Sequence, residues 1–278
     1  MDQFALRLLL SFVVGGSWVT IITEATLRYG QRLGGLLAGF PSTAAFSLAF
    51  IGWTQSTAAA VEATTALPLA LSFTATFPLV YATLAGGGSF RKAILGALSI
   101  WLGSSFILSA VAVSVGIGFV ISVAGFYVVS ACAYLLLARN HGQRAPARGI
   151  NLSSFQWVWR FVLAGGIVVG AVLLSATLGP LVGGVFASFP AIITSTIYII
   201  TRVDGVEASR GIATPVMVAT VFTIVPYTIV VRYSYPAFGV LLGTAAGYAA
   251  AVPLSLVAYL VIGRAAARAE EVEVISNP

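Results

Sequence analysis

Residues 92–138 read KAILGALSIWLGSSFILSAVAVSVGIGFVISVAGFYVVSACAYLLLA, 47 residues with a single charge, on the first of them. A helix crosses the hydrocarbon layer of a bilayer in about 20 apolar residues. This run is therefore too long for one crossing and long enough for two. The place to turn is Ser114–Gly118, where no charge marks the cut. Apolarity here is continuous and does not alternate every second residue, which excludes a transmembrane barrel.

The rest of the chain has the same texture. Of 278 residues, 59% are hydrophobic and 8% charged, and the mean hydropathy is +1.02. A soluble domain is about a quarter charged, so this chain lacks the polar surface to face water. The composition excludes a soluble globule, a disordered chain and a nucleic-acid reader, and leaves an all-α polytopic integral membrane protein whose partner is the lipid bilayer. Cuts at charges and at Gly/Pro/Ser clusters predict about nine transmembrane helices, at 4–27, 33–53, 64–85, 92–113, 117–138, 156–178, 182–202, 210–231 and 236–262. The first is read as a span and not as a signal peptide, because its apolar run is too long and no small-residue cleavage site follows it.

The cations support that count. With nine spans, Arg7 and Arg232 fall on one side and the other twelve Lys/Arg on the opposite side. Fusing the fourth and fifth spans gives 5 against 9. The positive-inside rule then puts the N-terminus outside and the C-terminus in the cytoplasm; the expected location is a cytoplasmic (inner) membrane.

An internal repeat organises the spans. Residues 30–41 read GQRLGGLLAGFP and residues 179–190 read GPLVGGVFASFP, identical at six of twelve positions. Val61-Glu62-Ala63 matches Val206-Glu207-Ala208, and Pro78 and Tyr81 lie near the counterparts of Pro226 and Tyr227. The reading is a 4+1+4 arrangement. Residues 1–113 form the first four-helix repeat, 114–138 a linker transmembrane helix and 139–155 a basic cytoplasmic loop. Residues 156–263 form the second repeat and 264–278 a cytoplasmic tail. One extra helix between two four-helix units starts the second from the other side of the membrane, so the repeats are expected to be inverted, as in many secondary transporters.

The second repeat carries a resemblance. FASFPAIITSTIYIITRVDGVEASRGIATPVMVATVFTIVPY (Phe186–Tyr227) resembles the GlpM-like family of small four-helix membrane proteins in its small-residue helix start, its apolar-Phe-Pro step, its GxEA turn and its later Pro-aromatic pair. The resemblance is better in the second half than in the first, and it implies architecture more than chemistry. On it, this chain is two such units fused through a linker helix, like a drug/metabolite transporter by analogy of fold alone.

The two Phe-Pro steps are the candidate substrate-binding site: Phe40, Pro41, Ser42 and Thr43 in one half, Phe189, Pro190 and Thr194 in the other. Proline has no N–H and crowds the preceding turn, so each step should interrupt its helix. Ser42 and Thr43 then stand where a new half-helix needs a cap. A half-helix start carries partial positive charge, which favours an anionic or neutral polar small-molecule solute. Gly34, Gly35, Gly183 and Gly184 give each helix a small face for close helix packing. The acids Glu24, Glu62 and Glu207 are candidates for gating or coupling. Their ordinary readings are an ion pair with Arg28 for Glu24 and helix N-terminal capping for the other two.

Other chemistry finds no residues. One cysteine, Cys132, and one histidine, His141, exclude a Cys/His metal cluster, and no cofactor motif is present. No enzyme is expected, because Gly103-Ser104-Ser105 has no histidine in a span to activate it. The leading expectation is a secondary transporter working by alternating access. The alternative is a non-transporting membrane protein that supports an envelope polysaccharide or lipid assembly. A homodimer is left open in both.

Overall fold

The computed structural model describes residues 3–28, 37, 39–137 and 154–276. Every regular element among them is an α-helix. In chain order they are α1 (Gln3–Arg28), α2 (Thr43–Thr54), α3 (Thr57–Ala63), α4 (Leu67–Ala85), α5 (Phe90–Ser114), α6 (Phe119–Leu137), α7 (Ser154–Leu178), α8 (Pro180–Ala187), α9 (Ala191–Arg210) and α10 (Ala213–Ser276). Seven stretches are long and apolar enough to cross a membrane: α1, α4, α5, α6, α7, α8 with α9, and α10. Gly34, Gly35 and the basic loop expected at 139–155 fall outside the described residues, apart from the first two residues of α7.

Polarity is turned inside out. Phe106, Leu241, Val115 and Val120 are among the most exposed side chains, while Ser47, Ser72, Ser122, Thr223 and Thr228 are fully buried. Such a surface suits lipid, not water. Most of the buried hydroxyls cost little because they bond within their own helix. Thr20 donates to Gly16, Thr220 to Val216 and Thr228 to Ile224, each a carbonyl one turn back.

The unmarked turn between α5 and α6 is where the 47-residue run divides. Gly116 takes φ +79 there, a left-handed conformation that glycine adopts at no steric cost. The last turn differs from the sequence expectation of a gap at 232–235. Helix α10 runs on through Pro236 and breaks at Gly239 (φ 76, ψ 175). The reason is Arg232, which is not a loop charge. Its guanidinium donates to the Val61 carbonyl and to the Thr64 and Thr65 hydroxyls at 2.9–3.0 Å, and lies 4.5 Å over the Phe119 ring. So held, it lets the helix continue for two more turns.

Two further expectations are corrected. The stretch Asp204–Glu207 does not start the next long helix: α9 is interrupted at Gly205 (φ 88, ψ 174), residues 206–210 form one short turn of helix beyond the kink, and the next long helix begins at Ala213. Glu62 likewise stands near the end of α3, one turn before α4 begins. Neither acid caps a long helix.

The most extensive contact joins α1 to α7. A Cβ on Gly16 would meet the Phe161 carbonyl oxygen at 2.7 Å and the Phe161 ring at 3.0–3.1 Å. A Cβ on Gly165 would meet the Phe12 carbonyl oxygen at 2.6 Å and the Phe12 ring at 2.8–3.0 Å. The Phe12 and Phe161 rings meet edge to face, 5.2 Å apart. Position rises on α1 as it falls on α7, so the two helices cross antiparallel. The contacts on either side of the crossing are the same.

Candidate functional site

Pro41 and Pro190 each stand in a helix interruption. Helix α8 stops at Ala187 and α9 starts at Ala191; residues 39–42 are likewise non-helical before α2. The two interruptions share a local pattern. The Phe40 N–H donates to the Leu37 carbonyl and the Phe189 N–H to the Phe186 carbonyl, which are the acceptors each proline strips of its helical donor. Then the Ser42 N–H donates to the Phe40 carbonyl at 2.7 Å and the Ala191 N–H to the Phe189 carbonyl at 2.8 Å. Pro190, with φ −78 and ψ 52, sits near the inverse γ-turn minimum.

Proline alone does not break these helices, since α4 and α10 run through Pro78, Pro226, Pro236 and Pro253. What differs is that neighbours take up the freed groups. Thr223 of α10 donates to the Gly39 carbonyl at 2.7 Å, and Thr74 of α4 donates to the Ser188 carbonyl. Thr74 and Thr223 are 149 residues apart, and so are Gly39 and Ser188. The same separation relates Phe12 to Phe161 and Gly16 to Gly165 at the α1–α7 crossing. An aromatic ring covers each break, from the far arm of α10 beyond Gly239 in one case and from α5 in the other. Tyr248 stacks on Phe40 with centroids 5.5 Å apart, and Trp101 packs edge-on to Phe189 at 5.1 Å. Tyr248 also donates to the Pro41 carbonyl, and the Trp101 indole N–H donates to Thr74 Oγ1 at 3.0 Å.

Thr74 thus relays one chain of bonds, from Trp101 through its hydroxyl to the break. Thr74→Val keeps the shape but strands the Trp101 N–H and the Ser188 carbonyl in buried surroundings. A loss of about 2–3 kcal/mol is expected, read as a lower unfolding midpoint of the purified protein. An unchanged midpoint would mean that the break holds itself without α4.

The two breaks meet at one cavity of about 40 Å³, room for a few water molecules. Phe40, Ser42, Thr43, Phe189 and Pro190 all line it, with Thr74 and Thr220. The first residues of α2 and of α9 face it together, so two half-helix starts direct their N–H groups and partial positive charge to one place. No lining residue is charged. Ser42 is not the cap that the sequence suggests: it makes no side-chain cap bond, because its backbone is helical in φ/ψ and its side chain points elsewhere. Its hydroxyl is buried and has no partner among the described residues.

The remaining candidates are dispersed. Thr194 stands apart, in a larger pocket described below. Gly183 and Gly184 lie in seams: a Cβ on Gly183 would meet Ser175 Cβ at 2.4 Å, and one on Gly184 the Ala63 carbonyl oxygen at 2.0 Å. Glu62 lines a cavity of about 600 Å³ with Arg232. Glu207 is exposed and pairs with Arg210 at 2.7 Å. Glu24 is buried; the Arg28 side chain expected beside it lies outside the described side chains. Tyr81 is turned inward, its hydroxyl 2.8 Å from Ser209. No group of three or more His, Cys, Asp or Glu that could hold a metal occurs among the described residues.

Sequence reasoning missed Arg160. It was counted as a topology charge, yet it is 3% exposed and lies inside the apolar stretch Gln156–Leu178. The signal was its place in QWVWRFVLAGG, with apolar residues on both sides. Reasoning also missed Thr74, Thr223, Trp101 and Tyr248, which no local motif marks. Comparisons with known protein families, curated proteins and solved structures return no match.

Proposed function

We propose that this protein is a secondary transporter of a small polar or anionic solute, working by alternating access in a prokaryotic inner membrane. The observation that carries this reading is the meeting of two helix starts at one cavity, beside a buried hydroxyl with no partner among the described residues. Broken helices inside a membrane are tolerated where they line a cavity, and half-helix starts are a known way to hold anionic groups near a midplane. Among the described residues that line the cavity, none carries a negative charge to oppose such a solute.

The same proposal takes the chain as nine spans in an inverted 4+1+4 repeat. The segment holding α2 adds one crossing to the seven, and the two arms of α10 on either side of Gly239 add another. The constant separation of 149 residues between matched contacts supports the repeat, and the antiparallel crossing of α1 and α7 supports its inversion. In this arrangement α6 is the linker helix, and the chain resembles two fused GlpM-like units. The N-terminus is placed outside by the distribution of cations.

The test uses the lone cysteine, Cys132, which is exposed on α6. In a Cys132→Ala background, Ser42→Cys is treated with a small membrane-impermeant thiol reagent in sealed vesicles. Reaction from one side, at a rate that candidate anions slow, is the expected result. If Ser42→Cys stays inert while Ala58→Cys, at an exposed position of α3, reacts, the breaks are dry helix seams and the transport reading is wrong.

A further inference from the structure

A second pocket, of about 700 Å³, lies between α5, the start of α7 and the first turns of α9. Its walls are mostly apolar, including Ile94, Leu98, Leu163 and Ile199, with Trp159 at an exposed edge. Arg160 lines it. This guanidinium keeps its charge at any ordinary pH, and it is 3% exposed. One of its three nitrogens is used: Nη2 donates to the Ser195 carbonyl at 3.1 Å. Nε and Nη1 are buried and have no acceptor among the described residues, and the hydroxyl of Thr194 on the same wall has no partner either.

Packing does not require an arginine here. The position 149 residues earlier, at the matched place on α1, is Ser11, which is also fully buried and bonds to its own helix at the Leu8 carbonyl. The crossing of α1 and α7 is thus built with a serine on one side and a guanidinium on the other. A buried cation with idle donors calls for an anion. The apolar walls call for a hydrocarbon portion beside it.

We propose that this pocket binds an amphiphilic monoanion, with its carboxylate or phosphodiester group on Arg160 and Thr194 and its apolar part along Leu98, Leu163 and Ile199. Glu24 lies near enough for its charge to act on Arg160, so a dianion would meet one cation and one carboxylate and bind less well. The Phe189 ring also forms part of this wall, as it does of the central cavity. The site stands whether or not the central cavity carries a solute.

The test is tryptophan quenching in the full chain, purified in a nonionic detergent. Bromoundecanoate is the probe, and bromoundecanol, with the same chain and no charge, is its control. The acid should quench saturably, and Arg160→Gln should weaken its binding about tenfold while leaving that of the alcohol unchanged. Trp159→Phe should remove most of the quenching. Two further arms identify the natural source of the anion. Competition by benzoate indicates a free organic anion. Quenching by brominated phosphatidylglycerol and not by brominated phosphatidylcholine, with no competition by benzoate, indicates a lipid headgroup. If Arg160→Gln does not fold, Thr194→Val and the comparison of acid with alcohol in the unaltered protein decide. Equal saturable affinities for acid and alcohol in the unaltered protein, or quenching of Arg160→Gln by the acid at full strength, would overturn the proposal. Labelling at Ser42 is unaffected by either result, so the two readings fail separately.

Discussion

Gly184→Ala is expected to destabilise the protein by about 3 kcal/mol, a large effect for one methyl group. The added Cβ would stand 2.0 Å from the Ala63 carbonyl oxygen and 2.8 Å from its carbon. These are backbone atoms at the end of α3, and no rotamer change can move them. Nor is α3 free to shift, because Arg232 is bonded to Val61, Thr64 and Thr65 around it. Overpacking typically costs about 1–3 kcal/mol, and the upper end applies where the neighbour is tied in place. The apparent melting temperature should fall by on the order of 10 °C. Gly166→Ala is the control. It has open space around its Cβ position, and alanine is favoured over glycine in a helix by about 1 kcal/mol. If both variants melt alike, the seam between α8 and α3 is looser than the contact distances say.

How much of this was legible beforehand differs by element. The membrane class followed from the 47-residue run and the scarcity of charge, because lipid imposes its requirement on every exposed residue. The breaks at Pro41 and Pro190 were legible because a repeated Phe-Pro step is a local signal. Their convergence on one cavity could be guessed only from the repeat. The partners that hold them open were not legible. Thr74 and Thr223 look like any hydroxyl in an apolar span, and what singles them out is a carbonyl more than a hundred residues away. Ser42 was read as a cap from its position after a proline, but the turn that follows Phe40 already satisfies the local backbone and leaves the hydroxyl facing the cavity. Arg160 and Arg232 were misread for one reason. Counting cations by side of the membrane treats each as a loop charge, whereas a long side chain with carbonyls or hydroxyls in reach is stable inside the protein.

The glycines at the α1–α7 crossing give the sharpest test of the inverted arrangement, because the sequence match between 30–41 and 179–190 does not reach them. Gly16 and Gly165 meet the same atoms of Phe161 and Phe12 at nearly the same distances. If a two-fold axis passes between the two phenylalanines, Gly16→Ala and Gly165→Ala must do equal damage. Each adds a Cβ 2.6–2.7 Å from a helix carbonyl, so a loss of about 2–3 kcal/mol is expected for either. Their effects should not add. The first Cβ pushes the helices apart at the crossing, and the space so opened admits the second. The double variant should therefore be more stable than the sum of the two losses implies, by about 1 kcal/mol or more. Denaturation of the four proteins in one detergent measures all three quantities. Equal single losses with a sub-additive double are what a shared axis requires. If Gly16→Ala is tolerated while Gly165→Ala is not, the matched distances are a coincidence of two unrelated contacts. The structural support for two matched halves would then reduce to the Thr74 and Thr223 bonds at the breaks.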